Sequence, residues 1–119
     1  MINVDTHILV FALTGEVTDR ERRILASNTW SVSAIVLWEL AKLAQLGRID
    51  IDLDDAELTR TLSGIHVWPI DLAVSIQSTR LDFKSDPADE LIAATSIVHQ
   101  IPLITRDRRI RGSRLVKFA

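Results

Sequence analysis

Short β-like runs that alternate with helix-like segments predict an α/β fold: one domain over residues 1–119, with a central parallel sheet of about five strands and helices on both faces. Alternation is the first of three observations behind this expectation, because parallel strands need a long crossover and a helix is the usual one. The second is composition. Of the residues 47% are apolar and 25% charged, with only four glycines and three prolines, which suits a packed core and not a disordered chain. The third is continuity: no repeat, low-complexity tract or linker divides the 119 residues, a length usual for one domain.

The elements follow in order. Ile2 to Asp5 is the first β-like run, and Ile8, Leu9, Phe11, Ala12 and Leu13 then make a short apolar helix that stops at Thr14-Gly15. Thr18 caps a second helix, Asp19 to Ala26. The next run, Trp30 to Ser33, leads into a helix from Ala34 to Leu46 closed by Gly47. Asp54 to Leu62 is a fourth helix, ended by Ser63-Gly64, and His66 to Ile70 is the third run. A fifth helix is expected over about Leu72 to Leu81. The sixth begins at Asp86, a natural N-cap, with Pro87 at the first helical position and Asp89 at the third, where a carboxylate favours the helix dipole; it runs to about Gln100. Leu103 to Thr105 and Leu115 to Phe118 complete the set, so the chain is expected to end in a strand.

Without cysteine, neither a disulfide framework nor a thiolate metal site can form, and a cytoplasmic location fits best. The start, Met1-Ile2-Asn3-Val4-Asp5, lacks the features of a signal peptide, and no apolar stretch reaches the roughly 18 residues of a membrane span. The net charge of -2 argues against a general nucleic-acid coat protein. Its distribution is uneven: Pro102 to Ala119 holds six Lys or Arg against Asp107 alone, while the rest of the chain is acidic. A basic edge that meets phosphate, beside an acidic region that holds a cation, would produce that pattern, and so would a solvated basic face.

In open parallel sheets the ligand site lies outside the carboxyl ends of the strands. Two of the expected strands end there in Asp5 and Asp107, although a lone aspartate at such a place often only caps the next helix. Glu39 stands inside the otherwise apolar Ala34-Ile35-Val36-Leu37-Trp38-Glu39-Leu40-Ala41 and must find a cation, a proton, solvent, or a weak pair with Lys42. Asp86 and Asp89 share one helix face; capping accounts for Asp86, which leaves Asp89 free to turn inward. Four such carboxylates in one pocket could not all stay ionised unaided, since two unit charges about 4 Å apart repel by roughly 4 kcal/mol at an effective dielectric of 20. Oxygen-only ligands select Mg²⁺ or Mn²⁺ over Zn²⁺. A hard cation in such a site suits phosphodiester hydrolysis.

Val4-Asp5-Thr6, Ser33-Ala34-Ile35-Val36-Leu37-Trp38-Glu39-Leu40, Asp86-Pro87-Ala88-Asp89-Glu90-Leu91-Ile92-Ala93-Ala94-Thr95 and Leu103-Ile104-Thr105-Arg106-Asp107, in that order, resemble the PIN-domain ribonucleases, and among them the VapC toxins. The resemblance covers essentially the whole chain. It implies a PIN-like domain cutting RNA with Mg²⁺ or Mn²⁺, with Asp5, Glu39 and Asp89 as an acidic triad and Asp107 as a fourth, more variable carboxylate. Thr6 and Thr105 stand where the family often has supporting hydroxyls, and Asp86 is a further supporting candidate. A homodimer and silencing by a cognate VapB-like antitoxin are also implied. Glu90 departs from the pattern, since many relatives carry Arg there; that touches contacts to substrate or antitoxin, not the metal site.

His7, His66 and His99 are scattered and read as packing or surface residues, and Trp30, Trp38 and Trp68 read as core. Arg106, Arg108, Arg109 and Arg111 flank Asp107 and are candidates for contact with RNA phosphate or with an acidic partner. A phosphoacceptor signalling domain, using Asp71 or Asp5, is the alternative of a different class. It needs adjacent acidic residues after the first strand and a final helix, neither of which is read here. A non-catalytic PIN-like binding module is the third reading.

Overall fold

In a computed structural model, which describes all residues from Met1 to Ala119, Ile2, Asn3 and Val4 are at most 1% exposed. Successive strand side chains point to opposite faces, so both faces of this strand are covered, as expected of a parallel sheet wrapped by helices. The elements are β1 (Ile2–Val4), α1 (Thr6–Thr14), α2 (Asp19–Ala26), β2 (Trp30–Ser33), α3 (Ala34–Gln45), α4 (Ala56–Ser63), β3 (His66–Trp68), α5 (Leu72–Ser78), α6 (Pro87–His99), β4 (Leu103–Ile104) and α7 (Arg108–Arg111). All strand pairs are parallel, in the order β3-β2-β1-β4. The chain moves outward from β1 to β2 and β3, then returns to the other side of β1 as β4. That reversal makes β1 and β4 a topological switch point, where parallel sheets open a crevice at their carboxyl ends.

Ile8, Leu9, Val36, Leu40, Ile92, Leu103 and Ile110 are almost wholly buried and join α1, α3, α6, β4 and α7 to Ile2, Val4 and Val32 of β1 and β2 in one core. Asn3 adds a polar clamp, its side-chain amide donating to the Ile92 carbonyl (3.1 Å) and to Ser96 Oγ (2.9 Å). This ties the centre of α6 to β1 and sets where the start of α6 falls above the strand ends.

Four strands form the sheet, and the fifth β-like run is reduced to a single parallel bridge between Leu103 and Phe118. Competing local bonds are the reason: Asp82 accepts from Ser113 Oγ and the Arg114 amide, both at 2.7 Å, and Ser113 Oγ accepts from the amides of Leu115 and Val116. With residues 113–116 folded into that turn, only the last residues can lie along β4. The third run stops at Trp68, because Pro69 has no amide hydrogen to extend the ladder. Helix α7 was not among the expected helices, although the capping role weighed for Asp107 is the one it plays there, accepting from Arg109 N and Ile110 N.

Candidate metal centre

Asp5 is the first residue beyond β1 and the N-cap of α1, which explains its 3% exposure: it sits in the crevice between β1 and β4. Its Oδ1 accepts from the Thr6 amide (2.8 Å) and its Oδ2 from the Thr105 hydroxyl (2.6 Å), a residue just past β4. Thr105 Oγ1 in turn accepts from the Asp107 amide at 3.0 Å, so one hydroxyl joins the ends of both strands.

Glu39 lies on α3, whose N-cap Ser33 directly follows β2, and it reaches back to the same edge. Its Oε1 accepts from Thr6 Oγ1 at 2.6 Å, while Lys42 bonds Gln45 instead. Asp89, in the first turn of α6, accepts from Ser85 Oγ at 2.7 Å, and its amide donates to the capping carboxylate of Asp86. Each of the three carboxylates is therefore held by a hydroxyl from another position: Thr105, Thr6 or Ser85.

The electrostatics tie them together. Burial pushes the Asp5 carboxyl above its ordinary range, against the pull of its Thr105 and Thr6 hydrogen bonds, and Asp107 adds repulsion. Burial also raises Glu39, with repulsion from Asp86 and Asp5, and raises Asp89 to about 6, with repulsion from Asp86, Asp5 and Asp107. Capping and charge thus coincide at Asp86, which is exposed yet acts on both neighbours. Asp107 shares a cavity of about 250 Å³ with Asp5, His7, Phe11 and Arg106, and spends its Oδ1 on the cap of α7.

The donor set is all oxygen and crowded with negative charge, which fits a hard divalent cation. As the side chains stand, no three of the acidic or imidazole groups are close enough to chelate one ion.

The four arginines fare differently. Arg106 is engaged within the protein: Nε and Nη2 grip Glu21 at 2.8 and 2.7 Å, Nη2 also donates to the Glu16 carbonyl, and the guanidinium covers the Phe11 ring. Glu21, which completes the Thr18 capping box of α2, is held down at about 2, chiefly by Arg106. Arg111 donates to the Thr105 carbonyl and lies over Phe118. Arg108 and Arg109 are exposed at the start of α7, beside the site.

Ser85 was not singled out in sequence: it precedes a strong capping residue, and its hydroxyl carries no local pattern. His7, read in sequence as a packing or surface residue, is exposed beside the site and partly offsets the upward shifts of Asp5 and Glu39. Asp71, the alternative phosphoacceptor, caps α5 through the Val74 amide.

A family model, the PIN domain, matches residues 2–113. Ribonuclease VapC22 of Mycobacterium tuberculosis is 38% identical over 88 residues, 71% of this chain and 67% of the relative. Among solved structures, a toxin-antitoxin complex from Klebsiella pneumoniae superposes with a TM-score of 0.77 at 21% identity, covering 98% of this chain and 95% of that one. FitAcB from Neisseria gonorrhoeae gives 0.74 at 22% identity, covering 100% and 97%. VapBC2 from Rickettsia felis, bound to a DNA fragment from its promoter, gives 0.73 at 20% identity, covering 100% and 98%. At these identities the structural likeness speaks for the fold.

Proposed function

The chain belongs to the PIN-domain family, and from that premise we propose that it is a metal-dependent endoribonuclease, the toxin of a toxin–antitoxin pair, hydrolysing RNA phosphodiester bonds with Asp5, Glu39, Asp89 and Asp107. One observation supports this reading: Asp5 just past β1, Glu39 on α3 and Asp89 on α6 lie within reach of one another's charge near the switch point of the sheet, and each is pushed upward by burial and by its neighbours' charge. Such a group of acids stores repulsion that a cation relieves. Structural needs alone would not concentrate it there.

Asp5, Glu39 and Asp89 would hold Mg²⁺ or Mn²⁺, with Asp107 Oδ2 at the rim. When bound there, such an ion would supply positive charge for the transition state and would lower the pKa of the attacking water. Thr105, Thr6 and Ser85 orient the carboxylates by donating to one oxygen of each, the role that partners behind a metal ligand commonly play. Arg108 and Arg109 would meet the RNA phosphates, or the acidic face of a partner. An antitoxin and a second copy of the chain are the partners this reading adds, in a cytoplasmic setting.

Cleavage of a mixed RNA substrate by the purified chain, with Mg²⁺ or Mn²⁺ and then with excess EDTA, tests the proposal. Cleavage that needs metal and vanishes in Asp5→Asn is expected. Cleavage that survives EDTA, or that persists in Asp5→Asn, would exclude it.

A further inference from the structure

The small cavity beside Asp5 and Asp107 has a larger neighbour. His7 and Phe11, one turn apart on α1, line it and also line a neighbouring cavity of about 480 Å³ that Thr14, Glu16, Arg48 and Asp50 help to wall. That volume lies within the roughly 300–1,000 Å³ usual for small-ligand sites. We propose that this second cavity is a nucleobase subsite, which receives the nucleotide adjoining the scissile phosphate and favours guanine. The inference rests on the ribonuclease reading for its substrate and on the cavity for its specificity.

Its chemistry divides into three parts. A stacking surface comes first. Arg106 covers one face of Phe11, with the guanidinium 4.1 Å from the ring centroid, whereas the exposed His7 imidazole lies at the junction of the two cavities with no ring or cation stacked on it. Unpaired RNA bases are commonly held by stacking on such rings. Positive charge comes second. Arg48 is exposed and in no ion pair, since the salt bridges of the chain are Arg22 with Asp19 and Arg106 with Glu21, so its guanidinium is available to a phosphate.

The third part sets the preference. Glu16 and Asp50 can only accept hydrogen bonds, and the Thr14 hydroxyl spends its hydrogen on the Val10 carbonyl (2.9 Å), which leaves an acceptor there too. A wall of acceptors selects a base rich in donors. Guanine presents a ring N–H beside an amino group, adenine and cytosine present an amino group, and uracil presents one ring N–H. The expected order is guanine first and uracil last.

The test is titration of GMP, AMP, CMP and UMP, each separately, into the full-length chain in millimolar Mg²⁺, followed by NMR shift mapping. Expected are shifts at Thr14, Arg48 and Asp50, with GMP tightest and UMP weakest. His7→Ala should weaken GMP by about fivefold or more, the low end of a stacking contribution. Arg48→Ala should weaken all four alike, and Asp50→Asn should narrow the preference for GMP. Both His7 and Arg48 are exposed, so neither change endangers the fold. Shifts confined to other regions, equal affinity for all four, or indifference to His7→Ala would overturn the subsite. So would a cavity that ignores nucleotides and takes up only peptide. If GMP maps to the cavity while wild-type protein cuts no RNA, the subsite stands and the nuclease reading falls.

Discussion

At the scale of single residues, the three raised carboxylates cost the fold stability when ionised, and the proposed function needs them ionised. Asp89 has its carboxyl at about 6, above its ordinary 3.8, so its protonated form is favoured in the fold. The stability this contributes is fully present below the ordinary value and is lost as pH rises through about 6. Without metal, the melting temperature of the wild type should therefore rise as pH falls from 7 toward 5, and Asp89→Asn should flatten that rise; a differential melting series in EDTA measures it. Metal competes with the proton, so the stabilisation by Mg²⁺ should fade over the same range. Asp5→Asn, Glu39→Gln and Asp89→Asn should each bring cleavage to background with the melting temperature unchanged or higher. Ser85→Ala leaves the carboxylate in place and frees it to turn, and a loss of about 10- to 100-fold in cleavage rate is expected. Asp86→Asn should be mild, because Asn caps a helix about as well as Asp. If Asp86→Asn abolishes cleavage and Asp89→Asn does not, the third carboxylate has been misassigned.

At the scale of elements, helix caps and strand ends build the site. Asp5, Asp86 and Asp107 each cap a helix, so capping and a role in metal binding must be separated by experiment. Asp107→Ala should cost about 1 kcal/mol through loss of the α7 cap, whereas Asp107→Asn should keep the cap and lose only the charge. Equal cleavage by Asp107→Asn and wild type would limit this residue to capping. On the same helix, Arg108 and Arg109 can be tested together in the non-cleaving Asp5→Asn background. Their replacement by Ala should flatten the salt dependence of RNA binding by about 1.4, at roughly 0.7 per phosphate contact on a single strand. An unchanged slope would assign them to a protein partner or to solubility.

At the scale of the whole molecule, the Arg106–Glu21 pair joins the segment after β4 to α2 across 85 positions. Glu21 is lowered to about 2, so the pair contributes stability above the ordinary glutamate range that is lost as pH falls through about 2. Arg106→Ala should cost about 1.5 kcal/mol, the low end for a bond to a charged group, because the arginine side chain is 41% exposed. Urea titration measures that loss. On the proposed function, Mg²⁺ or Mn²⁺ at 100 times its dissociation constant should stabilise the fold by about 2.7 kcal/mol. No thermal shift at millimolar metal would speak against the site.

Much of the fold was legible because its signals are local. The Thr18 box, the Asp86-Pro87 start and the apolar runs of β1 and β2 each depend on residues a few positions apart, and each element formed where the pattern put it. Lone carboxylates at strand ends and inside an apolar helix were visible on the same terms. What tertiary structure alone decided are partnerships at long range: Thr105 on Asp5 across 100 positions, Thr6 on Glu39 across 33, and Glu21 on Arg106, which draws that arginine away from its flanking neighbours. The last β-like run was settled in the same way, by Asp82 holding Ser113 and Arg114 in a turn. Periodicity and capping are set by neighbours along the chain, whereas a hydroxyl finds its carboxylate only after the strand order β3-β2-β1-β4 has brought their ends to one edge.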